Sequence, residues 1–284
     1  IAAPELNRLL PGRPEFAHKG LFGHVGIIAG ARGYSGTPAL AALGALRTGA
    51  GLVTAAVPPE AMPALAAHAP EAMAYPLEAP AGVITVRSLE AWGRTLADFT
   101  CLVIGPGMTA ADTTRDVVQW LLDHYDGRLV LDADALNVLP RVTLRAPQRL
   151  IVTPHPGEAG RLLSLTPTAV QADRLRAVRA LAARYGGTAV LKGAGTLVQG
   201  GAGSAWITLS GNPGMATGGS GDVLTGIIAA LASLAIDSAD AARLGVWLHG
   251  TAGDFAMWRH GQEALAARDI ANALPHAFTM LRNA

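Results

Sequence analysis

Cysteine is almost absent from this chain. Cys101 is the single one among 284 residues, so no internal disulfide can form, and a reducing compartment, the cytoplasm, is the expected setting. Its neighbours Leu102, Val103 and Ile104 mark it as a small core hydrophobe. Aromatic residues are scarce at 5%, which leaves Ala, Val, Leu and Ile to fill the core and suits helices packed closely on a sheet. Charge is scarce as well: 15% of residues, with a net charge of +1 and no dense Lys/Arg run. That balance supplies no long-range field and argues against a nucleic-acid partner. No stretch reaches the roughly 20 apolar residues of a membrane span, so no membrane partner is expected. Residues 223–236 come nearest and are interrupted by Thr225, Gly226 and Ser233. The chain also lacks a charged-then-apolar leader, a dinucleotide G-x-G-x-x-G, the Gly-Lys-Ser/Thr of a P-loop, a Gly-x-Ser-x-Gly elbow and any Cys/His array with zinc spacing.

What is present is apolar. Half of the residues are hydrophobic and mean hydropathy is +0.32, which implies a large core or a subunit that buries surface in an oligomer. With no Ser- or Pro-rich linker and no charged tail, residues 1–284 read as a single domain. Short β-rich runs recur at 25–29, 52–57, 101–104, 128–131, 150–152, 189–191 and 204–209, several of them continuously apolar, as strands covered on both faces are. Segments of helical length and spacing lie between them, such as 38–48, 113–124 and 170–185. The alternation predicts an α/β fold with a parallel sheet and helices on both sides. Ligands bind such sheets beyond the carboxyl ends of the strands. Nearly every Gly-rich or polar cluster of this sequence falls just after a predicted strand, so the clusters are expected to converge on one crevice.

The most informative cluster is Gly218-Gly219-Ser220-Gly221-Asp222, which opens onto the apolar stretch 223–232. Glycines ahead of a helix leave N–H groups bare, and the helix dipole adds positive potential, so an anion can dock there. A carboxylate at Asp222 makes sense beside a phosphate if it takes the proton of a hydroxyl that attacks phosphorus; the plain alternative is a helix N-cap. Five further clusters each admit two readings. Residues 30–36 (Gly-Ala-Arg-Gly-Tyr-Ser-Gly) form a ligand loop or an ordinary turn. Gly105-Pro106-Gly107 can bare backbone to a ligand or simply turn the chain. Asp132 and Asp134 would share a side if their strand continued, and could hold Mg²⁺ through water or contact sugar hydroxyls, unless Asp134 is a cap. In Thr153-Pro154-His155-Pro156-Gly157-Glu158, His155 can donate to a phosphate or carbonyl, while Glu158 reaches a Mg²⁺-bound water or sits in a first helical turn. Lys192, followed by Gly193, Ala194, Gly195 and Thr196, can neutralise a diphosphate or be the solvated charge of a hairpin. His249, flanked by Trp247 and Leu248, reads as a core histidine.

In this order the clusters resemble one family. The glycine loop with Ser35-Gly36, then Gly105-Pro106-Gly107, Asp132-Ala133-Asp134-Ala135-Leu136, Pro154-His155-Pro156-Gly157-Glu158, Lys192-Gly193 and above all Asn212-Pro213-Gly214-Met215-Ala216-Thr217-Gly218-Gly219-Ser220-Gly221-Asp222 are similar to the ADP-dependent NAD(P)H-hydrate dehydratases, from about Lys19 to about His249. The last motif is close to diagnostic; the others are individually loose. The resemblance implies a ribokinase-like fold, a central, mostly parallel β-sheet flanked by α-helices in a three-layer sandwich, commonly a homotetramer. It implies contacts from Lys192, Gly193, Ala194, Gly195, Thr196 and Gly221 to the adenine nucleotide. Thr37 (through nearby backbone), Gly107, His155 and Asp222 would meet the hydrated nicotinamide nucleotide. Asp222 would be the base, with Gly219, Ser220 and Gly221 as an anion hole, and Mg²⁺ would be held through Glu158 by way of water, with Asp132 or Asp134 as a further holder. The position around Thr37-Pro38 departs from the family's more Ala-rich pattern. The resemblance implies repair of the S form of NAD(P)H hydrate, with ADP as phosphoryl donor and AMP and phosphate as products. The rival of the same fold is an ATP-using kinase of a vitamin precursor; such kinases usually carry Asn-x-x-Glu where this chain has His155-Pro156-Gly157-Glu158. In many bacteria the family's domain is the C-terminal half of a chain whose other half epimerises the hydrate, so that epimerase is the expected functional partner; this chain begins at Ile rather than Met.

Overall fold

In a computed structural model, residues 2–109 and 111–284 are described. Nine strands form one sheet: β1 His24–Ile28, β2 Leu52–Val57, β3 Met73–Pro76, β4 Cys101–Ile104, β5 Arg128–Leu131, β6 Leu150–Val152, β7 Thr188–Leu191, β8 Leu197–Gly200 and β9 Trp206–Ile207. Their spatial order is β3-β2-β1-β4-β5-β6-β7-β8-β9. The first seven in that row are mutually parallel. β7, β8 and β9 pair antiparallel, because the five residues between β7 and β8 are too few for a crossover and can only make a hairpin. This is the expected three-layer architecture.

The continuous apolar runs have a simple cause: both sheet faces are covered. Val25, Ile27, Val53, Ala55, Cys101, Val103, Val130 and Val190 point into one core beneath helices Thr37–Thr48, Ser220–Ala232, Ser238–His260 and Ala267–Arg282. Ile28, Ala56, Leu102, Ile104, Leu129, Leu131, Ala189 and Leu191 point into the other, against helices Asp112–His124, Pro156–Leu163 and Arg174–Tyr185. Cys101 is fully buried, and burial pushes its thiol up to about 12, as expected of an inert core residue. Six strands, β1, β2, β4, β5, β6 and β7, match their sequence-derived bounds to within a residue. β9 is shorter than expected, and β3 and β8 were not anticipated. The expected helix 170–185 is two helices, Pro167–Ala172 and Arg174–Tyr185, broken where the Asp173 side chain caps the second by accepting from Arg176 N–H at 2.9 Å. No described helix is long and apolar enough to cross a membrane.

Helix Ser220–Ala232 is set deep against its neighbour by two glycines. A Cβ on Gly226 would fall 1.9 Å from Ala41 O, and one on Gly44 would fall 2.4 Å from Val223 O. The two helices therefore touch backbone to backbone. Gly226→Ala gains about 1 kcal/mol of helix propensity, but it must force this contact apart. A net loss of about 2–3 kcal/mol is expected, read as a lower urea midpoint; an unchanged midpoint would show that the helices can separate freely.

Candidate active site

The parallel strands change direction of succession between β1 and β4: from β1 the chain winds out through β2 and β3, then returns to the other side of β1 with β4. A sheet of this kind opens a crevice at such a switch, beyond the strands' carboxyl ends. The two glycine loops meet there. Gly30 N–H donates to Pro106 O at 2.9 Å, and the Thr37 hydroxyl donates to Pro106 O at 3.2 Å and to Tyr34 O at 3.1 Å. Gly107 has φ +64, and a Cβ there would lie 2.6 Å from Thr37 Oγ1, so only glycine allows the loops to close on each other.

The next three strands deliver Asp132, His155 with Glu158, and Lys192. Lys192 Nζ is the hub. It lies 2.7 Å from Asp132 Oδ1 and 3.9 Å from Glu158 Oε2, with its side chain only 18% exposed. The Thr225 hydroxyl, from helix Ser220–Ala232, donates to Asp132 Oδ2 at 2.7 Å. Burial alone would raise the Asp132 carboxyl, but the Lys192 charge and the hydrogen bonds from Lys192, Thr225 and Thr153 outweigh it and hold the group below its usual range. Burial opposes the charge on Lys192 too, yet Asp132 and Glu158 keep the ammonium protonated. Lys192 thus opens a hairpin, as one reading of the sequence had it, but it is a buried ion-pair centre and not a solvated charge.

His155 caps helix Pro156–Leu163. Its Nδ1 accepts from the N–H groups of Gly157 (3.0 Å) and Glu158 (3.3 Å), which places the ring proton on Nε2, 3.4 Å from Glu158 Oε1. Glu158 Oε2 in turn accepts from His155 N–H at 2.8 Å. Burial, then the charges of Lys192 and Arg161, keep the imidazole below its ordinary value and so neutral. Burial pushes the Glu158 carboxyl up to about 7 against the pull of Lys192. His249 is buried, with Nε2 donating to Ser220 O at 3.0 Å; burial drives it down to about 4. It is the core histidine the sequence suggested.

Asp222 stands in the first turn of helix Ser220–Ala232, partly buried. Among the described residues its carboxylate accepts no hydrogen bond, so it is not the helix cap; Gly219, at φ +90, holds the cap position. Burial, reinforced by the negative charge of Asp132 and moderated by Lys192, pushes Asp222 up to about 7. The N–H groups of Gly219, Gly221 and Asp222 have no acceptor among the described residues. Ser220 departs from the expected anion hole: its N–H donates to Thr217 O at 3.3 Å and its hydroxyl faces His249 Nε2 at 3.4 Å. The bare amides are therefore those of Gly219, Gly221 and Asp222 itself.

The acidic pair does not form as expected. The strand stops at Leu131, and Ala133, at φ 50 and ψ −117, turns the chain so that Asp132 and Asp134 diverge. Asp134 Oδ2 accepts from Thr109 N–H at 2.8 Å, and its Oδ1 accepts from Asn137 at 3.4 Å, so it braces a loop. Asp132 spends both oxygens on Lys192 and Thr225, and Glu158 turns both toward His155. No group of three possible metal ligands exists among the described residues, and this donor set does not fit a directly chelated Mg²⁺. Two contributors have no motif of their own. Asp254 accepts from Gly211 N–H (2.9 Å) and Asn212 Nδ2 (3.0 Å), pinning the start of the long glycine motif to helix Ser238–His260. Arg174 binds the carbonyls of Leu191, Lys192 and Gly195.

Residues 25–276 match the NAD(P)H-hydrate dehydratase family. The chain belongs to that family. Among curated relatives of this dehydratase-family chain, the bifunctional NAD(P)H-hydrate repair enzyme of Moorella thermoacetica is 44% identical over 278 residues, covering 96% of this chain and 52% of that one. The ADP-dependent (S)-NAD(P)H-hydrate dehydratase of Neisseria meningitidis is 40% identical, covering 95% and 88%. The ADP/ATP-dependent NAD(P)H-hydrate dehydratase of Bacillus subtilis, co-crystallised with ATP/Mg²⁺, superposes with a TM-score of 0.85 at 27% identity, over 99% of this chain and 97% of that one. The dehydratase-family chain spans about half the length of the bifunctional relatives it matches.

Proposed function

We propose that this chain dehydrates the S form of NAD(P)H hydrate to NAD(P)H, using ADP and releasing AMP and phosphate, with Asp222 as the base. The observation that carries the reading is the Asp222 carboxylate itself: unbonded, pushed up to about 7, and set beside bare amides and the Lys192 ammonium. A carboxylate so placed is poised to accept a proton near neutral pH. Asp222 takes the proton of the C6 hydroxyl as that oxygen bonds to the β-phosphorus of ADP and the anhydride bond breaks, freeing AMP. The amides of Gly219, Gly221 and Asp222 hold the charge on the moving phosphoryl group. The ring nitrogen's lone pair then expels phosphate from C6, and loss of a C5 proton restores the double bond. The water once added leaves as a phosphate oxygen.

In the same proposal Lys192, Gly193, Ala194, Gly195, Thr196 and Gly221 face the nucleotide. Thr37, Gly107 and His155 face the hydrate, with His155 offering its Nε2 proton as a donor. Mg²⁺ belongs to it only as the counter-ion of the nucleotide phosphates, whose charge it screens. A single domain over residues 1–284, a cytoplasmic homotetramer and a partner NAD(P)H-hydrate epimerase complete the reading. Incubation with hydrated NADH, ADP and Mg²⁺ should restore absorbance near 340 nm, the reduced-nicotinamide band, and release one phosphate per NADH. A phosphorylated product that stays intact, with no return of absorbance, would instead establish a small-molecule kinase.

A further inference from the structure

The hairpin from Lys192 to Thr196 leaves a run of its amides unpaired, while the carbonyls at its two ends are bound by Arg174. The Arg174 Nη2 group donates to Leu191 O at 3.2 Å, to Gly195 O at 3.1 Å and, at the long limit of 3.5 Å, to Lys192 O, which Nη1 also reaches at 3.5 Å. The remaining inward carbonyl, Gly193 O, accepts from the Thr196 hydroxyl at 2.9 Å. Gly193 (φ +136) and Gly195 (φ +64) supply backbone angles that other residues rarely adopt, and a Cβ on Gly193 would lie 2.9 Å from Arg174 Nη1. Among the described residues, the N–H groups of Gly193, Ala194, Gly195 and Thr196 have no hydrogen-bond acceptor. Successive unpaired amides with their carbonyls drawn away make a concavity that attracts anions. The guanidinium is itself held: Nη1 donates to Gln171 Oε1 at 2.7 Å, and burial lowers its pKa without an acidic partner to offset it. A half-buried cation spent wholly on carbonyl and amide oxygens is a costly way to hold a plain turn.

We propose that Arg174 is a positioning residue for nucleotide binding: its guanidinium gathers the carbonyls of Leu191, Lys192 and Gly195 so that the hairpin amides face the phosphates of ADP. The inference rests on the nucleotide-site reading above. Arg174 touches neither the reacting hydroxyl nor phosphorus, so its loss falls on nucleotide affinity and leaves the chemical step alone.

The test compares Arg174→Ala and Arg174→Lys with the unaltered chain, measuring kcat, the KM for ADP and the KM for hydrated NADH, together with calorimetric Kd for ADP. For Arg174→Ala the KM and Kd for ADP are expected to rise about tenfold or more, the scale of losing hydrogen bonds to a charged group. The kcat at saturating ADP should stay within about twofold and the hydrate KM should not move. Arg174→Lys, which keeps the charge but not the fork, should fall between the two, and it serves as the test if Arg174→Ala does not fold. A wild-type KM and Kd for ADP in the folded variant, or equal damage to kcat and both KM values, overturns the inference. If the unaltered chain binds ADP yet restores no absorbance, the dehydratase reading fails by itself, and the Kd comparison still decides the role of Arg174.

Discussion

Asp222→Asn is expected to lose turnover by roughly 10²-fold or more, the usual scale for removing a positioned general base, while the folded chain becomes harder to melt at alkaline pH. Both effects come from the same displaced titration. In the folded chain the Asp222 carboxyl sits at about 7, against an ordinary value of 3.8. The folded state therefore binds more protons than the unfolded state between those two values, and stability falls as pH rises from about 4 to about 7, levelling off above. Asparagine carries no such loss. The variant should match the wild type near pH 4 and melt several degrees higher at pH 8, since the shift corresponds to a few kcal/mol at most and each kcal/mol moves a chain of this size by about 2–4 °C. In the wild type, kcat/KM for the hydrate should climb with pH through about 7 as the base ionises. Near-full turnover in Asp222→Asn removes the assigned role. Equal melting of the two proteins at pH 8 would show instead that the carboxylate is not destabilised in the folded chain.

The second large effect belongs to Lys192. Lys192→Met leaves Asp132, 1% exposed, with the Thr225 hydroxyl and no cation, and leaves the buried Glu158 with only the weaker pull of Arg161. Removing one partner of a buried ion pair costs about 3–5 kcal/mol, or a melting temperature lower by roughly 10 °C. ADP-dependent turnover should vanish too, if Lys192 is the charge that neutralises the phosphates as proposed. Pairing Lys192→Met with Asp132→Asn removes the orphaned carboxylate and should recover much of the stability but none of the activity. A double variant as unstable as the sum of the two singles would mean that the residues are not energetically coupled, despite their 2.7 Å contact.

These effects fall on residues the sequence itself singled out, and the reason is physical. Strands buried on both faces leave unbroken Val/Ile/Leu runs, so β2, β4, β5 and β6 could be read off directly, and a chain that carries its ligand loops just beyond such strands advertises them as well. β3 could not be seen: it is an edge strand whose Met73 and Tyr75 stay part-exposed, and it ends on Pro76. β8 was hidden because it is short and bounded by glycine turns. Asp254, Thr225 and Arg174 escaped for a different reason. Each works from a helix, far in sequence from what it holds, and none sits in a motif. For Ser220 and Asp134, adjacency in sequence does not carry adjacency in the site. The Ser220 amide is consumed by the turn that begins the helix, and the positive φ of Ala133 sends Asp134 away from Asp132.

The close seating of helix Ser220–Ala232 has a further consequence. With Gly226 against Ala41 and Gly44 against Val223, the helix cannot rock without lifting off its neighbour, so the Asp222 carboxylate it carries behaves as a fixed anvil. Adjustment to an arriving ligand has to come from the surrounding loop walls, above all the hairpin 192–196, which is tied down by the hydrogen bonds of Arg174 and not by a backbone-to-backbone contact. A retuned substrate preference would then be reached by rewriting those walls, with the anvil left as it stands.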